Sequence, residues 1–289
     1  MARIVAVVVT YNRKKLLQEC LGVLDKQTYP LSGIVVVNNC STDGTTKWLQ
    51  TIQDKKYKIL TMPENIGGAG GFCIGMQEAC KQICDYVLVL DDDCILDADY
   101  VEKLLYTAHK HKHSLSALCG TVYENDRIAV NHRGYIIENK LGHILDSWHE
   151  HDDKSYLKDS LNCDIVSFCG LMVSRTVIDK VGYPKAEYFI KRDDTEYSLR
   201  LGKYGKIMNV NSACLNHKVS VQNSKQSFDW KYYYDIRNGI DMTRNNGLYY
   251  CQMKIIMKSL WVSIANHGVD LWVKAVRDGL KGRLGKREN

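Results

Sequence analysis

The 289-residue chain has no run of about 18 uninterrupted apolar residues, the length a bilayer-crossing helix needs. No transmembrane helix is therefore expected. The N-terminal apolar run, Ile4 to Val9, is too short for the apolar centre of a secretory leader. No CxxC pair occurs among the 11 cysteines, and their number is odd. That argues against a zinc site and against a disulfide framework, and for reduced thiols in a cytoplasmic protein. No nucleic-acid-binding motif is visible. The formal charge of +6 suits phosphate ligands or an anionic surface without implying nucleic acid. No internal repeat or low-complexity linker divides the chain, so no clean boundary between independent domains is expected. At 45% apolar residues it can bury a sizeable core, in one large domain or two small ones.

What is present is an alternation. "RIVAVVVTYN" reads as a strand buried on both faces. "RKKLLQECLGVLDKQ" follows with Leu16, Leu17, Cys20, Leu21 and Leu24 on one helical face. "GIVVVNN" is a second buried strand, and "STDGTTKWLQTI" a helix with Ser41 or Thr42 as its cap. "YKILTM" is a shorter strand, "GFCIGMQEACKQI" a helix and "DYVLVL" a strand. Strands alternating with helices imply a mostly parallel sheet, whose ligands bind beyond the carboxyl ends of the strands. Four loops leave those ends. They carry Thr10 to Arg13; Asn38-Asn39 with Ser41 to Gly44; Asn65 with Gly67, Gly68, Gly70 and Gly71; and Asp91, Asp92 and Asp93. From about residue 116 to 230 the pattern is less regular. "NCDIVSFCGLMVSRTVIDKVG" reads as a strand and a short helix, and the chain looks helical from 231 on.

Three constellations carry chemistry. Adjacent carboxylates cost stability unless a cation or water compensates them. At a strand end, Asp91 and Asp93 would point to one side, where one or both could hold magnesium or manganese with phosphate oxygens. Asp92 would point away, toward ribose, water or a backbone donor. The alternative is a solvated turn. "NIGGAGGFCIG" leads into a helix whose N-terminus favours anions, although it is neither a GxGxxG fingerprint nor a P-loop. In "KRDDTEYSLR", Asp193, Asp194 and Glu196 open a helix. One carboxylate could be a general base, with its neighbours tuning it or orienting a substrate hydroxyl; the alternative is helix capping. His217, at a strand end, is either structural or an extra metal ligand. "WHEHDD", with Trp148, could bind metal or line a sugar site, or be an exposed loop. His109, His111 and His113 read as a solvated helix end.

The ordered set "VVVTYNR", "VVVNNCSTDGT", "NIGGAGGF", "LVLDDDC", "FCGLMVSRTVIDKVGYP" and "DDTEYSLR" resembles the family 2 inverting glycosyltransferases of the GT-A fold, over residues 3 to 220. The resemblance implies a Rossmann-like mostly parallel sheet flanked by helices, a nucleotide-sugar donor and a divalent metal. It implies a GT-A domain over 1–230, with a nucleotide-sugar-binding half (1–115) and an acceptor half (116–230), then a helical basic extension (231–289). Thr10, Tyr11, Arg13, Asn39 and Asp91 would lie around the nucleotide, Asp93 on the metal and Asp194 at the base position. Many relatives have aspartate where Asn39 stands, as the base or ribose contact. "FIKRDDTEYSLR" with a following histidine looks most like bacterial galactofuranosyltransferases.

The expectation is transfer of a sugar to a growing cell-surface glycan, galactofuranose from UDP-galactofuranose, on a glycan or lipid-linked acceptor. The rivals are a rhamnosyltransferase using dTDP-rhamnose, a nucleotidyltransferase, and a nucleotide-sugar-binding module without turnover. At the C-terminus, Met253, Met257, Leu260, Ile264, Leu271 and Ala275 follow helical spacing. Lys274, Arg277, Lys281, Arg283, Lys286 and Arg287 then outnumber Asp278 and Glu288. This reads either as a packing helix with a solvated basic tail or as a peripheral contact with an anionic inner leaflet.

Overall fold

A computed structural model describes residues 1–111, 114–138, 144–218 and 229–287. His113 and Glu288 lie outside the described residues. The order begins β1 (Ile4–Thr10), α1 (Lys14–Asp25), β2 (Gly33–Asn38), α2 (Thr45–Leu49), β3 (Tyr57–Thr61), α3 (Gly67–Ala79) and β4 (Tyr86–Asp91). It continues with β5 (Cys94–Leu96), α4 (Tyr100–Lys110), β6 (Leu115–Glu124), β7 (Arg127–Ile128), β8 (Arg133–Glu138), β9 (Ile144–Glu150), β10 (Ser160–Cys163), β11 (Ile165–Val166) and β12 (Leu171–Ser174). The last elements are α5 (Arg175–Val181), α6 (Asp193–Gly202), β13 (Lys206–His217), α7 (Trp230–Asn245), α8 (Tyr249–Ala265) and α9 (Val269–Leu280).

The main sheet runs β10-β13-β6-β12-β4-β1-β2-β3, with β5 beside β13 and β7 beside β6. The β4-β1-β2-β3 half is parallel, and β12 enters antiparallel between β4 and β6. The expected Rossmann-like sheet is therefore present, with a mixed second half. Alternation along β1 divides the core. Ile4, Ala6 and Val8 pack with α1 and α4, while Val5, Val7 and Val9 pack with α3, α5 and α6. Both faces are covered, which is why the strands read as continuous apolar runs.

Four sequence readings change. Helix α2 is not capped by Ser41 or Thr42. Left-handed Gly44 is its first flanking residue, and Asp43 covers the open end by accepting from the Thr45 amide (3.1 Å) and hydroxyl (2.5 Å). Helix α3 starts at Gly67, so the glycines belong to the helix and not to a loop before it. Gly71 and Gly75 face the sheet, where a Cβ would stand 2.6 Å from Val9 and 2.4 Å from Val7. Their absent side chains let α3 sit down on β1. The strand expected before α5 is three short ones, with β11 leaving for a second sheet, β11-β8-β9. Of "WHEHDD", Trp148 to Glu150 end strand β9, while His151 and Asp152 are the expected loop and Asp153 opens a short turn.

Helix α7 is part of the body of the protein. Its Asn238 amide donates to the carbonyls of Tyr188 (3.0 Å), Ile190 (3.0 Å) and Lys191 (2.8 Å). That clamp fixes a loop in which Phe189, Lys191 and Arg192 all adopt left-handed φ, between 64° and 70°. Such backbone persists only when its surroundings over-determine it. Among the described residues no helix is long and apolar enough to cross a membrane.

The close seat of α3 gives a stability test. Gly75→Ala should cost about 1–3 kcal/mol, because Val7 and Val37 would have to move. Gly22→Ala, in α1 with open space around it, should stabilise by up to about 1 kcal/mol. Urea denaturation of both variants checks this, and equal midpoints would contradict the packing described.

Candidate active site

Strand β4 ends at Asp91, and the chain turns at once through Asp92 and Asp93 into β5. The expected two-residue alternation therefore stops short. Asp92 does not point away: at the cleft wall it accepts from the Thr10 hydroxyl at 2.6 Å and from Arg13 Nη1 at 3.2 Å. Arg13 Nη1 also reaches Asp93 Oδ2 at 2.5 Å, so one guanidinium spans both carboxylates. Burial pushes the Asp92 carboxyl up to about 6, against the pull of Thr10 and Arg13. Burial also drives Asp91 well above the usual carboxylate range. It opposes ionisation of Asp93 too, yet His217 and Arg13 outweigh it and hold that carboxyl low.

The second oxygen of Asp93 is unusual. Oδ1 is buried and has no hydrogen-bond partner. His217 Nε2 faces it at 3.3 Å, off the line of a hydrogen bond. The other ring nitrogen, Nδ1, lies 2.8 Å from Glu124 Oε1, which fixes the imidazole's orientation. Burial lowers the His217 pKa, but Asp93 and Glu124 overcome this and raise it to about 10. Glu124 Oε1 also takes His132 Nε2 at 3.0 Å, and Ser167 holds His132 Nδ1 at 2.8 Å. An orphaned carboxylate oxygen opposite an oriented imidazole is a fit for a divalent cation, with Asp93 and His217 as ligands and Asp91 at the strand end beside them. His132, Cys169 and His217 also bring their ligand atoms within 4.8 Å of one another. Glu124 and His132 lie in no motif: Glu124 ends β6 beside β13, and His132 follows β7. Cys169 lies in the quoted motif "FCGLMVSRTVIDKVGYP", but nothing in that motif marks its thiol as part of the site.

A cleft of about 340 Å³ opens at the carboxyl ends of the parallel strands. Thr10, Tyr11, Arg13, Asp91 and Asp92 line one side, and Asn39, Asn65, Gly67 and Gly68 the other. Gly70 and Gly71 are not brought to it: they are buried under Ile66 and against Val9. Asn39 is present but largely committed. Its Nδ2 donates to Asn65 Oδ1 (3.0 Å) and the Gly67 carbonyl (3.1 Å), and its Oδ1 accepts from the Ile66 amide (2.9 Å). It is a strut for the turn that starts α3. An aspartate could not make the two donations, which accounts for asparagine here. Phe189, Ile190, Trp230 and Lys231 close the far wall. A larger depression of about 810 Å³, lined by Lys103, Tyr106 and Tyr156, contains none of the motif residues.

Helix α6 opens with the acid pair. Asp193 is buried; burial and then the charge of Asp194 push its carboxyl up to about 7. Asp194 Oδ1 accepts from the Thr195 amide (2.6 Å) and hydroxyl (3.1 Å). Burial raises its pKa in spite of those bonds. Cys169 lies close enough to bear electrostatically on both Asp91 and Asp194. Glu196 is not available to a substrate. It is 2% exposed, and Arg200 holds both its oxygens at 2.8–3.0 Å, with Lys185 at 3.7 Å. Trp148 does not line the cleft either; its indole packs over Gly134 in the small sheet.

Asn39→Asp tests the strut. It removes both donations and sets a carboxylate oxygen against Asn65 Oδ1, which keeps the Gly67 amide, and against the Gly67 carbonyl; each lost buried hydrogen bond costs about 1–3 kcal/mol. A lower melting temperature and weaker nucleotide binding in calorimetry are expected. Unchanged values for both would remove Asn39 from that role.

Comparison with known proteins follows the same geometry. Residues 5–182 match the sequence model of the family described as Glycosyl transferase family 2. The galactofuranosyltransferase GlfT1 of Mycolicibacterium smegmatis is 30% identical over 202 residues, 69% of this chain and 65% of that protein. The chain thus spans slightly less than two-thirds of that relative. Among solved structures, S. aureus TarS 1-349 in complex with UDP-GlcNAc has a TM-score of 0.63 at 15% identity, covering 96% of this chain and 81% of that one. GalNAc-T7 with UDP, GalNAc and Mn2+ has a TM-score of 0.64 at 13% identity, covering 84% and 48%. Those two likenesses establish the GT-A fold, and the sequence match over more than half the chain establishes that it belongs to glycosyl transferase family 2.

Proposed function

We propose that the protein transfers galactofuranose from UDP-galactofuranose to a hydroxyl of a growing cell-surface glycan, inverting the anomeric carbon. The reading rests on one observation above the others. The donorless Asp93 Oδ1 and the oriented His217 lie beside Asp91 and Asp92 of the cleft wall, and Cys169 bears electrostatically on both Asp91 and Asp194. The galactofuranosyltransferase relative, at 30% identity, supports the choice of sugar.

Asp93 and His217, with Asp91, would hold magnesium or manganese, which when bound supplies positive charge to the departing diphosphate. At the N-terminus of α3 the Gly67 amide is held by Asn65 Oδ1 (2.8 Å) and the Ala69 amide by the Phe189 carbonyl (3.1 Å), so it is the helix dipole beside Gly68 that would favour the phosphates. Tyr11, 46% exposed at the cleft edge, offers a ring to the nucleotide. Thr195 occupies Asp194 Oδ1, so Oδ2 is left to take the acceptor proton. The acceptor oxygen bonds to the anomeric carbon from the face opposite the diphosphate. The carbon–oxygen bond to the diphosphate breaks, and its electron pair leaves with the nucleoside diphosphate. Asp193 carries the first proton of the acid pair, which keeps Asp194 ionised and basic.

Asp194→Asn should lower turnover at least about a hundredfold with donor binding retained, whereas Asp193→Asn should weaken acceptor affinity more than turnover. Turnover should fall with pH only below the first protonation near 7, as the raised Asp194 carboxyl takes the second proton. Near wild-type transfer by Asp194→Asn would displace the base. A donor screen reads out the sugar: release of dTDP from dTDP-rhamnose would reassign it, and release of pyrophosphate would refute glycosyl transfer.

Metal dependence has its own test. EDTA should abolish transfer and magnesium or manganese restore it. Asp93→Ala should lose both activity and calorimetric manganese binding while remaining folded by circular dichroism. Full activity in chelator would exclude the cation.

A further inference from the structure

The basic tail is the part of the sequence that suggested an anionic surface, yet its described residues are tied down. The Gly285 amide donates to the Glu187 carbonyl at 2.7 Å, and Arg237 Nη1 donates to the Gly285 carbonyl at 2.6 Å. The Arg287 amide reaches Tyr234 Oη at 2.8 Å, and Lys286 pairs with Glu64 at 3.3 Å. The unpartnered apolar surface lies earlier in the chain. On α8, Tyr250, Met253, Met257, Trp261 and Ile264 are each between 49% and 69% exposed. Their spacing of three and four residues sets them in one narrow stripe along the helix. Sequence periodicity grouped Met253, Met257 and Ile264 with Ala275 as one packing face, but only Ala275 is buried. On α9, Val269, Val273 and Leu280 repeat the pattern at 40–50% exposure.

A contiguous exposed stripe of this kind marks a contact surface. Its charge says which. Helix α8 contains no aspartate or glutamate. Lys258 is exposed next to the stripe; Arg277 is exposed on α9 and Lys281 just past its end, against one exposed acid, Asp270, in the first turn of α9. A second copy of the chain across a two-fold axis would set the same basic residues against each other. Anionic headgroups over acyl chains would satisfy both the cations and the apolar stripe. Trp261 and Tyr250 add rings suited to the boundary between them.

We propose that the outer face of α8 and α9 docks on an anionic lipid bilayer, with α8 lying in the plane of the interface. The inner face of α8 is one helix away from the acid pair. A Cβ at Gly239 of α7 would stand 3.2 Å from Ile255 of α8 and 3.9 Å from Arg192, the residue before Asp193. Docking therefore sets the height of the acid pair above the lipid surface. The surface stands independently of the sugar assigned above.

The test is sedimentation of the full chain with phosphatidylcholine vesicles, with and without phosphatidylglycerol. Binding is expected only with phosphatidylglycerol, and raised salt should weaken it. Met257→Glu with Trp261→Glu should bind about tenfold more weakly or worse. Lys286→Ala, on the docked tail, should bind as the wild type does. Circular dichroism and transfer to a water-soluble acceptor should be unchanged in these variants, and Trp261→Ser serves as a milder change at the same exposed position. Wild-type vesicle binding by both stripe variants would overturn the proposal. So would a wild-type dimer that the double variant dissolves, which would make a second copy the occupant.

Discussion

Charge repulsion between Asp91, Asp92 and Asp93 has to be offset inside a largely buried turn, and the groups that offset it come from distant parts of the chain. Thr10 and Arg13 arrive from the end of β1, and His217 from the end of β13. Each needs its own strand in place. The central sheet is therefore a condition for three neighbouring carboxylates to coexist, and those carboxylates are the reason the strand ends converge. The compensation is also incomplete: Asp93 Oδ1 keeps no donor. A buried acceptor left without a donor is a standing cost, and a cation is the natural way to relieve it.

The opposite wall has a different origin. Its backbone is held in left-handed conformations at Phe189, Lys191 and Arg192, and one amide side chain, Asn238, occupies three carbonyls in and around that bend. Arg192 is drawn the same way by Asp235, at 2.6 Å. Helix α7 thus shapes the approach to Asp193 and Asp194 without supplying a reacting group. Within α7, residues 232–238 ("YYYDIRN") act through Asp235, Arg237 and Asn238, all of which hold backbone or charge just before the acid pair.

The parallel half of the fold was legible because its strands are buried on both faces and its helices carry one apolar stripe each. The Asp91–Asp93 turn, Arg13 and the acid pair were legible through their motifs. Three kinds of information were not. The seating of α3 reversed the reading of Gly70 and Gly71, since a missing side chain can admit a ligand or a neighbouring strand, and sequence does not distinguish them. Glu196 looked like its two neighbours but lies one helical turn before Arg200, whose fork takes it out of the site. Glu124 and His132 belong to the site only because β6 runs beside β13. The mixed half of the sheet, with its short strands, offers no periodicity long enough to read.

Gly67 joins the two walls. With φ at +76° it lets the Phe189 carbonyl approach to where a Cβ would be only 1.9 Å away, and that carbonyl accepts from the Ala69 amide at 3.1 Å. No side chain intervenes, so the first turn of α3 and the bend before Asp193 share a rigid backbone seam. A tilt of the first turn of α3 is at once a displacement of the loop that carries the acid pair. The glycine-rich helix start and the bend before Asp193 are mechanically a single part, joined through main chain alone.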